Sequence, residues 1–204
     1  MHPLLEAIAQ RSSLNHFDAE ARLDDADIRE LIGWASRAPS AFNLQNWRFI
    51  AVRSESGKQR LRQLAWDQPK VSEAAVTFIL CGVLPDTAQL PARLQSSVNA
   101  GFMPAAMPHT WQQAAEQLYS DSPLARRDEA VRSATLAAAT LMQAGQALGL
   151  GACPMTGFDT EAVASSFGLG ADEIPVMLVA MGRARAGNWP QKPRRPLEQI
   201  LELA

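Results

Sequence analysis

The 204-residue sequence predicts a single α+β domain spanning residues 1–204, and three observations carry that prediction. Apolar residues recur at helical spacing along most of the chain, so helices dominate. Three short apolar runs, residues 48–53, 76–84 and 176–181, read as strands of one central sheet. Helices and strands do not alternate strictly, which argues against a doubly wound sheet. A hydrophobic content of 47% is enough for one sizeable core, and no internal repeat or Gly/Ser linker divides the chain.

Leu4, Leu5 and Ile8 share one helical face and predict a short first helix ending near Arg11. Asp24 or Asp25 caps a second helix, because a carboxylate satisfies the free N–H groups there. Ile28, Leu31, Ile32 and Ala35 recur along it, and Pro39 stops it by pushing Ala38 off helical angles. A polar loop, residues 40–47, leads into the first strand. Residues 56–66 read as a helix with Leu61, Leu64 and Ala65 inward. Residues 76–84 are continuously apolar, the pattern of a strand buried on both faces. The Pro-, Met- and Gln-rich stretch 85–122 reads as irregular, with one helix at 111–119. Residues 128–148 form the longest helix, whose many alanines and interior Gly145 let neighbouring backbones come close, and Gly149 and Gly151 end it. Asp159 caps a helix that Gly168 closes, and Leu197, Ile200 and Leu201 make a short amphipathic tail.

With 19 basic and 21 acidic residues the net charge is −2, which does not suit a nucleic-acid-binding face. Cys81 and Cys153 have no metal-ligand spacing and are too few for a disulfide framework, so a reducing, cytoplasmic setting is expected. His2, His16 and His109 are scattered, and no metal site is expected. The N-terminus has neither the basic nor the apolar region of a signal peptide. The run at 76–84 is too short to span a bilayer, so no membrane association is expected. No strand-linked Gly-x-Gly-x-x-Gly is present.

Four segments hold groups suited to ligand chemistry. Arg11, Ser12, Ser13 and Asn15 offer a guanidinium, two hydroxyls and an amide, a set that can bind phosphate through charge-assisted bonds. The same residues also fit a helix end with solvated serines. Pro39, Ser40, Ala41 and Asn43 lie in a loop whose amides could read the edge of a flat heterocycle, or could simply shape turns. Pro154, Met155, Thr156 and Gly157 precede a helix, and Gly157 would admit close approach of a ligand to the backbone. Lys192 and Arg194 form a stiff basic cluster between prolines, fit for a phosphate or for solvent. Cys153 has nothing basic beside it in sequence and reads as packed, and Cys81 reads as core.

The order and spacing of RSSLNHF, PSAFNLQNWRFIAV, WDQPK, GLGACPMTGFD and KPRRPLEQIL resemble the FMN-binding nitroreductase family along almost the whole chain. The most specific piece, residues 39–47, matches the family's Pro-Ser-x-x-Asn-x-Gln-x-Trp pattern at every fixed position. The resemblance implies a central, mostly antiparallel mixed sheet flanked by helices, in an interlocked homodimer with FMN at the subunit interface. It implies ping-pong chemistry, in which NAD(P)H (NADH or NADPH as co-substrate) gives a hydride to the flavin and a nitroaromatic, quinone or similar small-molecule acceptor then takes its place. No side-chain nucleophile or general base is required.

By position, the resemblance assigns FMN contacts to Arg11, Ser12, Ser13 and Asn15, and partner-flavin contacts to Pro39, Ser40, Ala41 and Asn43. It places Asp67, Gln68 and Lys70 at the polar edge of the ring, Pro154, Met155, Thr156 and Gly157 over one face, and Lys192 and Arg194 on the phosphate. Asn15 stands where a cation is common, and Asp67 where many members carry Asn; the carboxylate would oppose a reduced, anionic flavin unless Lys70 offsets it. Residues 89–121 correspond to a variable substrate-covering segment, in which Phe102, Met103, Met107, His109, Trp111 and Tyr119 could line a pocket, with at least half expected only to pack. The Pro-Met-x-Gly-Phe-Asp form also resembles the malonic semialdehyde reductase branch, which makes reduction of a small carbonyl the alternative, beside a flavin-binding protein without turnover.

Overall fold

In the computed structural model, which describes residues 1–204, a four-stranded antiparallel sheet is covered by helices on both faces. The strands are β1 (Trp47–Val52), β2 (Val76–Val83), β3 (Gly151–Met155) and β4 (Glu173–Gly182), in the order β1-β2-β4-β3. The central strands β2 and β4 are the apolar runs read from sequence. Strand β3 was not expected, and it raises the count from three to four. Gly151 therefore opens a strand, while Gly149, at φ +75°, ends the long helix. The only parallel pairing is an isolated bridge of Ser13 to Ala152 on the outer side of β3.

The helices are α1 (Pro3–Gln10), α2 (Asp25–Ala35), α3 (Glu55–Leu64), α4 (Pro69–Glu73), α5 (Leu90–Asn99), α6 (Met107–Tyr119), α7 (Pro123–Ala147) and α8 (Thr160–Ser166). Asp24 caps α2 in a capping box with Asp27, and Asp159 caps α8. One face of the sheet packs Ile79, Leu178 and Met155 against Leu61, Val71 and Val163 of α3, α4 and α8. The other packs Phe78, Leu80 and Val179 against Leu31 of α2 and Ala138 and Leu141 of α7. Strand β2 is buried on both faces for this reason.

Two expectations are corrected. The stretch 85–122 is largely helical, with α5 and a longer α6, because Pro91 and Pro108 sit in first turns, where a missing N–H costs nothing. Pro69 opens α4 in the same way. The tail forms one 3-10 turn, Leu197–Gln199, and buries no apolar face, since Leu197, Ile200 and Leu201 are exposed. No helix is long and apolar enough to cross a membrane.

Candidate functional site

Three of the segments expected to bind a ligand converge on the β3 edge of the sheet, and a fourth, with Lys192 and Arg194, follows a clasp onto residues 15 and 16. Leu14 donates its N–H to the Ala152 carbonyl at 3.1 Å, which lays residues 12–15 alongside β3. The Asn15 carboxamide oxygen accepts a 3.3 Å hydrogen bond from Lys70 Nζ. Gln68 Nε2 donates to the Gly157 carbonyl at 2.9 Å and to the Ala65 carbonyl at 3.1 Å. Residues 12–15, 68–70 and 154–157, far apart in sequence, are thus tied together by hydrogen bonds.

The turn that carries Gln68 is strained. Trp66 and Asp67 both lie in the left-handed region, at φ +53° and +55°, which a bulky side chain rarely adopts. Arg62 holds the turn by accepting the Asp67 N–H on its carbonyl and pairing its Nε with the Asp67 carboxylate at 2.7 Å. The charge of Asp67 is therefore offset by Arg62 and not by Lys70, which is engaged with Asn15. The Trp66 indole is 73% exposed and lies against Gly157, where an added β-carbon would meet the ring at 2.8 Å.

Pro154 and Met155 occupy the end of β3 rather than a loop, and Pro154 is tolerated because β3 is an edge strand. Thr156 and Gly157 follow it, and their backbone N–H groups have no protein acceptor. Pairs of free N–H groups can stabilise negative charge on a ligand placed against them.

The two chain ends meet through Asn188. Its Oδ1 accepts from the N–H groups of Asn15 (2.7 Å) and His16 (3.0 Å), and its Nδ2 donates to the carbonyls of His16 (2.7 Å) and Arg185 (2.9 Å). Phe17 also bridges to Ala184. Lys192 lies four residues beyond this clasp, its Nζ 5.4 Å from the centre of the Trp189 ring. Arg11, Lys70, Lys192 and Arg194 take part in no salt bridge. Unpaired cations, the hydroxyls of Ser12 and Ser13, free N–H groups and a glycine without a side chain suit a ligand with a phosphate and a flat polar ring.

The loop before β1 lies elsewhere. It leads into the opposite edge strand, and three strand spacings of about 4.8 Å put the two edges about 14 Å apart. Phe42, Asn43 and Gln45 have φ of +51°, +53° and +47°. Ser40 Oγ accepts the Gln45 N–H at 2.9 Å, and Asn46 pairs with Val83 through both its backbone carbonyl and its side-chain amide. Within one chain, Pro39, Ser40, Ala41 and Asn43 do not join the β3 group.

The sequence profile of the Nitroreductase family matches residues 8–183. The chain belongs to the nitroreductase family. It is 33% identical over 189 residues to protein DrgA of Synechocystis sp., covering 93% of this chain and 87% of that one. It is likewise 33% identical over 174 residues to a Thermus thermophilus protein named NADH dehydrogenase, covering 85% of this chain and 83% of that one. An Exiguobacterium sibiricum nitroreductase-type structure, solved in complex with FMN, superposes with a TM-score of 0.90 at 27% identity, covering 98% and 97% of the two chains. The antiparallel α+β architecture is that of this family.

Against that family frame, three structurally prominent residues were not anticipated. Asn188 and Arg62 carry no local signal, since their roles depend on tertiary hydrogen bonds. Trp66 lies inside the WDQPK segment, where only its left-handed backbone marks it. Cys153 is buried in the sheet core, as expected, and so is Cys81. Among the candidates in the variable segment, Met103, Trp111 and Tyr119 pack in a small separate core, while Phe102 is exposed.

Proposed function

We propose that this chain is an FMN-dependent oxidoreductase that uses NAD(P)H to reduce nitroaromatic, quinone or similar acceptors. The observation that carries the reading is the β3-edge cluster, in which Asn15, Lys70, Gln68 and Gly157 are linked beside the free N–H groups of Thr156 and Gly157. Bound flavin would supply the redox chemistry, taking a hydride from NAD(P)H and passing electrons to the acceptor. The chain's own groups bind and tune it. Arg11, Lys192 and Arg194 hold the phosphate, with Ser12 and Ser13 beside them. Lys70 and the free N–H groups favour negative charge on the ring, and Arg62 neutralises the Asp67 carboxylate that would oppose it.

The reading includes a homodimer. Residues 39–43 are on the far edge of the sheet from the cluster, so a site using both needs a second copy of the chain. The apolar side chains Leu4, Leu5 and Ile8 of α1 and Trp34 of α2, all about half exposed, support the same assembly. An apolar groove of about 390 Å³ between α1 and α7 is available to it.

The test uses purified protein loaded with FMN under anaerobic conditions. NADH or NADPH should bleach the flavin, and a nitroaromatic or quinone should restore its colour. Restoration by malonic semialdehyde and not by those acceptors would move the chain to the carbonyl-reducing alternative. A yellow protein unchanged by excess NADH and NADPH would sink the enzyme reading and leave a flavin-binding protein.

A further inference from the structure

Helices α5 and α6 close a small core of their own around the loop before β1. Leu44 of that loop is buried with Leu90, Leu94 and Tyr119. Arg93 Nη1 donates to the Leu44 carbonyl at 3.1 Å. The Phe42 ring meets Trp111 edge-on, with centroids 6.0 Å apart at 69°, and meets Tyr119 at 6.5 Å and 87°. Edge-to-face pairs at these separations are attractive beyond their buried area.

The contact matters because of the backbone it fixes. Phe42 is in the left-handed region, at φ +51°, as is Asn43 at +53°. A phenylalanine holds that conformation only where its surroundings over-determine it. Here the surroundings are two aromatic rings on α6. Relaxing Phe42 would rotate the peptide groups of Ser40, Ala41 and Asn43 and disturb the hydrogen bonds that seat the loop, from the Asn43 N–H to the Ser40 carbonyl (3.1 Å), from the Leu44 N–H to the Ala41 carbonyl (2.9 Å) and from the Gln45 N–H to Ser40 Oγ. Glu129 of α7 lies beside Tyr119; it is buried, accepts from Ser133 Oγ at 2.8 Å and pairs with Arg132 at 2.7 Å.

We propose that Phe42 is a positioning residue, which transmits the packing of α6 to residues 40–43 and so sets how tightly that loop holds the flavin. The inference rests on the flavin reading above and extends it: the α5–α6 segment acts on cofactor affinity through Phe42, without touching the cofactor. Anything that shifts Trp111 or Tyr119 shifts flavin binding, and by linkage flavin binding shifts them.

FMN titration of the apoprotein, followed by flavin fluorescence, tests this. Phe42→Leu should raise the FMN Kd about tenfold, and Trp111→Leu, outside the proposed site, should raise it several-fold. The double variant should be no weaker than about the Phe42→Leu protein alone, since both changes break one contact. Phe42→Tyr and Trp111→Phe keep the edge-on rings and should bind within about twofold of the unsubstituted protein, which separates ring contact from general loss of folding. If Trp111→Leu binds FMN as tightly as the unsubstituted protein, or if the two Leu changes multiply, the inference is overturned while the flavin reading stands. An unsubstituted chain that takes up no FMN overturns both.

Discussion

Gly157 and Trp66 share a space that only one of them can fill. The indole of Trp66 lies where a Gly157 β-carbon would be, at 2.8 Å from the ring. The ring is exposed and can swing aside, so Gly157→Ala should not unfold the chain. We expect a cost of about 1 kcal/mol, from displacing Trp66 out of its strained turn. In a Trp66→Ala background the same change should cost close to nothing. Urea unfolding of the four proteins in the cycle reads the coupling; equal costs in both backgrounds would show that Gly157 is limited by something other than the indole.

The clasp at Asn188 predicts a different signature. Asn188→Ala removes four hydrogen bonds, three of which close the two chain ends on each other. We expect a loss of about 2 kcal/mol, since part-buried N–H groups of Asn15 and His16 lose their acceptor. Residues 183–196 should also become a preferred site of limited tryptic cleavage, at Arg183 and Arg185. Asn188→Asp keeps the acceptor and loses the donor, and should fall between. An Ala variant as protease-resistant as the parent would mean that the Phe17–Ala184 bridge alone holds the segment.

These two contacts mark where the sequence is legible and where it is not. Features fixed within a few residues were readable: Asp24 and Asp159 as helix caps, and the buried run of β2. Strand β3 was hidden because Gly151-Ala152-Cys153-Pro154-Met155 carries two residues that strands avoid, tolerated here only at a sheet edge. Helices α4, α5 and α6 were hidden or shortened because a proline in a first turn looks locally like a breaker. Lys70 could be placed by its motif, but its partner Asn15 and the pairing of Asp67 with Arg62 are tertiary facts. The left-handed backbone at Phe42 and Trp66 runs against the preference of both residues, so no propensity could reveal it.

Alkaline pH should destabilise the fold through Cys81. Burial, and after it the nearby Glu173 carboxylate, pushes this thiol from 9.0 up to about 12. Between those values the unfolded chain releases the proton and the folded chain keeps it, so stability falls as pH rises from about 9 to about 12 and is fully present below 9. Tyr119 acts in the same direction, raised from 10.0 to about 12 by burial first and by Glu129 second. Urea unfolding from pH 8 upward should show a steeper alkaline fall for the parent than for Cys81→Ala. Parallel pH dependences would mean that Cys81 ionises as easily in the folded chain as in the unfolded one.

Two glycines in regular elements should respond oppositely to alanine. Gly82 sits in the central strand β2, where an added β-carbon would lie 2.4 Å from the Ala130 carbonyl oxygen and 2.6 Å from its carbon. That obstacle is backbone of α7, which cannot turn aside as a side chain can. The long helix must move off the sheet face, and Gly82→Ala should cost more than about 3 kcal/mol or prevent folding. Gly33 lies within α2 with nothing within 4 Å of its would-be β-carbon. There alanine restores helix propensity without a clash and should stabilise by about 0.5–1 kcal/mol. Thermal unfolding of the two variants beside the parent decides it. A Gly82→Ala protein that melts with the parent would mean that α7 is free to slide across β2, which would contradict the close backbone approach that the run of small residues in α7 allows.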